Sequence, residues 1–313
     1  MRLNMFVKNL KNIHEHVLLL LLYFHITQIN CVQSIDIVTP VVGGNTESIH
    51  DSPWHVAIFN QKKILICGGT IIRPQLILSA AHCFYDDKKN RTHNASDFEI
   101  IVSKFTRNYS TIDNQNQKIY KIKQIRLSEK GYADIYNNYA ADIGILILEQ
   151  NITFNTNVAQ AHVDWESIIE GRYPAEGIKG KVAGWGCDET GKYPEKLQAV
   201  WLPFISRARC LTTVPVDARA IITFDKFCAG SHENGGPSVL QGDSGGGIFF
   251  QKDDKYYLRG IVSVKQASLT SIAAFTDLSD HARWILSVIK DVEKTSFEKK
   301  SDIRSVRRKL SLK

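Results

Sequence analysis

The sequence predicts an all-β fold, either a barrel or a sandwich, with a single helix near its C-terminal end. Between residues 41 and 286, short runs rich in valine, isoleucine, leucine and aromatic residues are separated by glycine, proline, asparagine or aspartate. Runs of this composition between turn residues are typical of β-strands. Their close spacing favours a barrel or sandwich over βαβ units.

Six of these runs are the strongest strand candidates. They are HVAIF (55–59), GTIIR (69–73), LILSA (76–80), GILIL (144–148), GKVAGWG (180–186) and YYLRGIVSV (256–264). Residues 107–118 are polar and are predicted to form a surface loop.

One segment, 279–294, has a helical pattern. Ser279 can cap its first turn. Its apolar side consists of Ala282, Ile285, Leu286 and Ile289. The following residues to 313 are polar and basic, and we predict a disordered tail over 291–313.

The positive charge of the chain is concentrated at its two ends. The 313 residues carry a formal net charge of +7. Residues 1–16 contribute +2, from three Lys/Arg and one Glu, and residues 296–313 contribute +5, from seven Lys/Arg and two acidic residues. The region between is close to neutral, so nucleic acid is not an expected partner.

The N-terminus has the pattern of a secretory signal. A basic stretch precedes the apolar run VLLLLLYF (17–24), which is too short to span a bilayer. We predict a signal peptide over 1–34, although cleavage after Cys31 and a buried core helix are alternatives. Four N-x-S/T sequons, at Asn90, Asn94, Asn108 and Asn151, agree with a glycosylated, secreted, extracellular protein.

The six cysteines lack the spacing of a metal site. None lies in a CxxC or Cys/His zinc pattern. In an oxidising compartment we expect them to form disulfide bonds, with no metal and no cofactor.

A glycine-rich stretch, QGDSGGG (241–247), holds the candidate nucleophile. A polar turn before a strand is one interpretation of it. A nucleophilic Ser244 would need a histidine base that a carboxylate orients. His82 ends an apolar strand in LSAAHCF, and Asp142 stands at the start of one in AADIGILIL. The order His, Asp, Ser is one of the three known orders of this triad.

Eight motifs in this order resemble those of trypsin/chymotrypsin-like serine proteases. They are VVGGN (41–45), SPWHVAI (52–58), CGGTII (67–72), LSAAHC (78–83), ADIGILIL (141–148), AGWG (183–186), FCAG (227–230) and QGDSGGG (241–247). The resemblance covers about 41–290, after a short propeptide (35–40), and implies a double six-stranded β-barrel with the site between the barrels. Within the family, DKFCAG, GDSGGG and YYLRGIVS resemble catalytic domains of arthropod modular serine proteases.

The resemblance implies a role for each site residue. Ser244 attacks the scissile carbonyl, His82 carries the proton and Asp142 orients the imidazole. The N–H groups of Gly242 and Ser244 form the oxyanion hole. Ser263 supports the buried aspartate.

The resemblance also implies activation by proteolysis. Asp243 would pair with the new amine of Val41, which completes the oxyanion hole. However, Pro40 stands where the family usually has Arg or Lys. Either an unusual protease cuts here, or the N-terminus is trimmed differently, or the protein stays a zymogen.

The substrate pocket departs from that of Arg/Lys-specific members. The resemblance places Ser238 at the base of this pocket, where no aspartate is then available for a cationic side chain. Lys265 and Ala273 occupy walls that are often glycine, and Val264 replaces a usual tryptophan. We expect specificity for small or apolar residues, or a site that is poorly open to general substrates.

The family's disulfide pattern is only partly present. It implies the bridges Cys67–Cys83 and Cys210–Cys228. Both cysteines of a third disulfide bond of the family are absent, and Leu240 occupies one of their positions. Cys187 is either free or bridged to Cys31, and His162 stands where a domain-linking cysteine is expected.

Two functions remain possible from the sequence. One is a secreted, monomeric serine endopeptidase that acts on proteins or peptides. The other is a non-catalytic secreted homologue that uses the fold as a regulatory binding module. The basic tail adds a possible contact with polyanions.

Overall fold

The structure, a computed structural model, describes residues 45–128, 139–188, 190–231, 237–264 and 271–311. The predicted signal peptide, the propeptide and Val41 lie outside these residues, and so does Lys265. Among the described residues, no helix has both the length and the apolar composition needed to cross a membrane.

The first half of the chain forms a closed antiparallel barrel. Six strands form the barrel: β2 (His55–Asn60), β3 (Leu65–Arg73), β4 (Leu76–Ser79), β7 (Phe98–Val102), β8 (Lys118–Leu127) and β9 (Gly144–Leu148). Three two-residue strands of this half lie outside it: β1 (Asn45–Thr46), β5 (Tyr85–Asp86) and β6 (Arg91–Thr92). The barrel order is β2-β3-β4-β9-β8-β7. Aliphatic side chains such as Val56, Ile100 and Leu146 fill it, because alternate strand residues point inward.

The second half forms another six-stranded ring. Its strands are β10 (Lys179–Gly184), β11 (Gln198–Ile205), β12 (Lys226–Ser231), β13 (Gly247–Lys252), β14 (Lys255–Val264) and β15 (Ser271–Asp277). The order β11-β10-β13-β14-β15-β12 is closed by pairing of β11 with β12, and β1 adds to β11 at the edge. All six predicted strand runs are strands, and the predicted double barrel is confirmed.

Within the described ranges, two short helices and four 3₁₀ turns connect the strands, and a third helix follows the last strand. The helices are α1 (Trp165–Ile169), α2 (Arg207–Thr213) and α3 (Leu278–Ser311), and the 3₁₀ turns are Ile49–Asp51, Ala81–Phe84, Ala95–Asp97 and Val216–Ile221. The turn Ala81–Phe84 follows β4 directly and carries His82, which places this side chain at the open end of the first barrel.

The C-terminal helix differs from the prediction at both ends. It begins at Leu278, and the cap is Asp277, whose Oδ1 accepts the N–H of Ser279 over 2.9 Å. The predicted disordered tail is wrong up to Ser311, because α3 continues to that residue. Residues 295–311 contain no glycine or proline, and they include one Glu, three Lys and three Arg, which favour a helix.

The start of α3 packs on the barrels. Ala282, Ile285, Val288 and Ile289 are buried in a cluster with Trp54 of the N-terminal segment. Leu286, predicted for the same side, is partly buried against this cluster. The first turns of the helix therefore belong to the core.

The two disulfide bonds that the resemblance implied are present. Cys67 is bonded to Cys83, and Cys210 to Cys228. The first joins β3 to the turn that carries His82, and the second joins α2 to β12. Cys187 is also disulfide-bonded, so the alternative that it is a free thiol is wrong.

Candidate active site

Pairing of β4 with β9 brings His82 and Asp142 together. Ser79 of β4 lies opposite Gly144 of β9, so the residues just after β4 and just before β9 meet at one edge. His82 Nδ1 lies 2.8 Å from Asp142 Oδ2, and the His82 backbone N–H donates to Asp142 Oδ1 over 2.9 Å. Two hydrogen bonds to the Asp142 carboxylate thus hold both the imidazole and the main chain of His82.

The carboxylate of Asp142 is fully buried between the barrels. Two strands of the second barrel contact Asp142. Ser263 Oγ of β14 donates to Asp142 Oδ2 over 2.6 Å, and Thr276 Oγ1 of β15 donates to the main-chain oxygen of Asp142 over 2.9 Å. Burial raises the pKa of Asp142. The charge and hydrogen bond of His82, the charge of Lys226 and the hydrogen bond of Ser263 together lower this pKa by more. The net pKa is below the ordinary value, and the carboxylate is ionised.

The imidazole of His82 is tuned as a base by the same contact. Burial lowers the pKa of His82, while the charge and hydrogen bond of Asp142 raise it by more, so the net pKa is above the ordinary value. Because Nδ1–H is donated to Asp142, the lone pair of the neutral ring is on Nε2. The pair can therefore accept and hold a proton at Nε2.

Ser244 shares a cavity with His82. The cavity has a volume of about 1060 Å³ and lies between the barrels. The turn that carries Ser244 is held across the cleft, because the Gly68 N–H of the first barrel donates to the Ser244 carbonyl over 2.8 Å. The Gly245 N–H donates to Val262 O over 2.9 Å, which ties the turn to β14 of the second barrel.

Two glycines give this turn its shape. Gly242 has a φ of +106° and Gly245 a φ of +79°, which other residues rarely adopt. Among the described residues, the N–H groups of Gly242 and Ser244 donate to no acceptor. These two donors are available to an oxygen atom bound in the cleft.

Asp243 turns away from the cleft. Its carboxylate accepts the Gly186 N–H over 2.8 Å and the Leu240 N–H over 3.0 Å. A Cβ at Gly184 or Gly186 would collide with this carboxylate, which explains the two glycines of AGWG. The predicted partner of Asp243, Val41, lies outside the described residues.

A comparison with protein families agrees with this geometry. The model of the family described as Trypsin matches residues 41–285. The chain belongs to the trypsin family. Members of this family are serine-type endopeptidases.

Several curated relatives share this domain. The chain is 29% identical over 213 residues to the "Modular serine protease" of Drosophila melanogaster. This alignment covers 66% of the chain and 31% of that protein. The chain is 28% identical over 266 residues to "Ovochymase" of Halocynthia roretzi, 81% of the chain and 16% of that protein. It is 29% identical over 265 residues to "Clotting factor G beta subunit" of Tachypleus tridentatus, 80% of each. The chain thus spans less than a third of the first two relatives.

The residues predicted for the trypsin-type pocket have different surroundings. Ser238 is partly buried, and its Oγ donates to Val239 O over 3.2 Å. Val264 lines the cavity, and Ala273 is buried in β15 opposite Ala229 of β12.

The sequence analysis missed Tyr139 and Val239. Both line the cavity, and the Tyr139 ring lies edge-on to the His82 ring with centroids 5.9 Å apart. Their proximity in sequence to Asp142 and to the QGDSGGG motif was the only available signal.

The sulfur atoms near His82 are not metal ligands. Cys67, His82 and Cys83 have potential ligand atoms within 4.8 Å of one another. Both sulfurs belong to the Cys67–Cys83 disulfide and offer no thiolate.

A buried histidine lies between the barrels of this trypsin-family domain. His55 of β2 packs against Trp185 with ring centroids 5.2 Å apart, and its Nε2 has no hydrogen-bond partner among the described residues. Burial lowers the pKa of His55 to about 4.

We predict that His55 makes the protein less stable as the pH falls from about 6.5 to about 4. In this window the unfolded chain protonates His55 and the folded protein does not, so the unfolded state binds more protons. The free energy of unfolding should fall by about 1.4 kcal/mol per pH unit, roughly 3 kcal/mol in all, from this group. Urea unfolding from pH 7 to pH 4.5 measures the slope.

The variant His55→Gln should reduce this slope, whatever its effect on stability at pH 7. The exposed His50 offers a matched control, and His50→Gln should leave the slope unchanged. Equal slopes for wild type and His55→Gln would contradict the assignment.

Proposed function

We propose that the protein is a secreted serine endopeptidase that hydrolyses peptide bonds through an acyl-enzyme intermediate. One observation carries this proposal: a buried, ionised Asp142 holds the His82 imidazole by a 2.8 Å hydrogen bond, in the cavity that Ser244 lines. This arrangement has the parts of a nucleophile, base and orienting acid.

The chemistry divides among these groups. Ser244 Oγ attacks the scissile carbonyl and loses its proton to His82 Nε2, which gives it to the leaving amine. Water then attacks the acyl-enzyme by the same path. Asp142 stabilises the imidazolium throughout, which agrees with the raised pKa of His82. The N–H groups of Gly242 and Ser244 would bind the oxyanion, at about 3 kcal/mol per donor.

Activation would proceed through Asp243 and a new amine at Val41. In support, the Asp243 carboxylate is held by the N–H groups of Gly186 and Leu240, away from the cleft. Pro40 before Val41 implies that the activating protease differs from those that cut after Arg or Lys.

The pocket supports a preference for a small or apolar residue before the scissile bond. Ser238 offers a hydroxyl where a cationic substrate side chain would need an acid. Val239 and Val264 add apolar side chains to the lining of the cavity. Lys265, predicted for a pocket wall, lies outside the described residues and keeps its predicted role.

Two peptidyl phosphonates test the activity and the preference together. The protein is made with a cleavable site before Val41, so that its N-terminus is defined. A phosphonate with alanine or valine next to phosphorus should label Ser244, and its arginine counterpart should react at least tenfold more slowly. Intact mass spectrometry measures both rates.

The control variant is Ser244→Ala, which should abolish labelling. Absence of labelling in the folded wild type would contradict peptidase activity and favour the regulatory alternative. Faster reaction with the arginine probe would contradict only the pocket assignment.

We also propose that Cys187 is bonded to Cys31. Cys187 is disulfide-bonded, and the other four cysteines of the described residues pair among themselves, which leaves Cys31 of the six. A mature protein that retains Cys31 cannot have lost residues 1–34 as its signal peptide, so the cut would lie upstream.

Peptide mapping of the secreted protein without reduction should find one peptide pair that contains Cys31 and Cys187. N-terminal sequencing should then begin before residue 31. A free thiol at Cys187, or a mature chain that begins at Ile35, would contradict the proposed bridge.

Secretion and glycosylation are supported by the sequons. Asn90, Asn94, Asn108 and Asn151 are all exposed. The expected monomeric state stays a prediction of the sequence.

Contact between the basic tail and polyanions is likewise a prediction. Residues 296–313 carry a net charge of +5. Removing these residues should shift elution from heparin to lower salt. Unchanged elution would contradict a role for the tail.

A further inference from the structure

The backbone just before Asp142 adopts a disfavoured conformation. Tyr139 has a φ of 56° and Ala141 a φ of 53°, both in the left-handed region. Residues with side chains rarely adopt this conformation, and it persists only where surrounding contacts hold it. The segment that carries the aspartate therefore depends on contacts from elsewhere in the fold.

Two adjacent residues at the start of β12 supply these contacts. Lys226 Nζ donates to the Tyr139 carbonyl oxygen over 2.9 Å, and the Ala141 N–H donates to Asp225 Oδ2 over 2.9 Å. The side chains of Asp225 and Lys226 are fully buried and lie 3.4 Å apart, Nζ to Oδ1. Each strained residue is thus held by one member of a buried ion pair.

Asp225 is itself fixed by the C-terminal helix. His281 Nε2 lies 3.0 Å from Asp225 Oδ2, His281 Nδ1 lies 3.2 Å from Ser128 Oγ, and Thr223 Oγ1 donates to Asp225 Oδ1 over 2.5 Å. Burial raises the pKa of Asp225, but the hydrogen bond of His281 and the charge of Lys226 outweigh it. The net pKa lies well below the ordinary value, so Asp225 is a fixed negative charge.

The Lys226 ammonium also acts on the His82–Asp142 pair. Its charge lowers the pKa of His82 and that of Asp142. The other charges that act on His82 are Asp142 and, more weakly, Asp87, and both raise its pKa. Lys226 is thus the positive charge that opposes the two carboxylates around the imidazole.

We propose that Lys226, paired with Asp225, is a positioning residue for the hydrolytic reaction. It holds residues 139–142 in their strained conformation, and it places a buried positive charge beside the pair His82–Asp142. The inference rests on the proposed peptidase function, and neither Lys226 nor Asp225 touches the substrate. The same contact fixes Tyr139, whose ring borders the imidazole.

Two variants with opposite electrostatic effects test the proposal. Lys226→Met removes the positive charge and the bond to Tyr139, so the pKa of His82 should rise. Asp225→Asn keeps the size of the side chain and leaves Lys226 uncompensated, so the pKa of His82 should fall. NMR titration of the His82 Nδ1–H proton in a Ser244→Ala background measures both shifts without any need for activity.

Kinetics of the same variants with Ser244 intact supply a second measurement. The acid limb of the pH profile of kcat/KM should move to higher pH in Lys226→Met and to lower pH in Asp225→Asn. The maximal kcat of Lys226→Met should drop about ten- to a hundredfold, because a displaced loop misplaces Asp142.

The matched control is Lys104→Met. Lys104 forms another buried ion pair, with Asp113 at 2.9 Å, and its loss should lower stability without moving the His82 titration. Shifts in the same direction for both test variants, or no shift in either, would overturn the proposal. If Lys226→Met does not fold, the Asp225→Asn titration decides: a lower pKa supports the proposal and an unchanged one overturns it.

An inactive wild type would refute the peptidase function but not the titration result. The two failures are therefore distinguishable.

Discussion

The structure depends most on burial of one carboxylate, that of Asp142, where the two barrels meet. A buried charge is stable only if its surroundings replace the water it has lost. Here the first barrel contributes two N–H groups of His82, and the second contributes the hydroxyl of Ser263. Neither barrel alone satisfies the acid, so the charge itself joins them.

The same constraint explains why the region behind the cleft is so polar. Asp225, Lys226 and His281 are fully buried, and both Lys226 and His281 contact the Asp225 carboxylate. Burying such groups contributes little stability, and their usual benefit is a defined geometry. In this fold the geometry that they define is that of the main chain just before Asp142. Stability and reactivity are therefore supported by different parts of the interior: aliphatic clusters for the first, charged contacts for the second.

Much of this could be predicted from the sequence, and the exceptions have physical causes. Strand positions and two disulfides followed from local composition and motif resemblance. The end of α3 could not be predicted in this way, because a charged stretch without glycine or proline is compatible with both a helix and a disordered tail. The contact of Lys226 with Tyr139 joins residues 87 positions apart, and only the assembled second barrel brings them together. Left-handed backbone at Ala141 gave no signal either, since alanine normally avoids it.

The bridge from Cys67 to Cys83 has a consequence for where the chemistry can occur. It ends on the residue after His82 and joins the turn of the base to the neighbouring strand. A cytosolic copy, exposed to glutathione, would keep both thiols reduced and lose that crosslink. The turn that positions His82 is thus fully crosslinked only where the surroundings are oxidising, as they are along the secretory route that we propose.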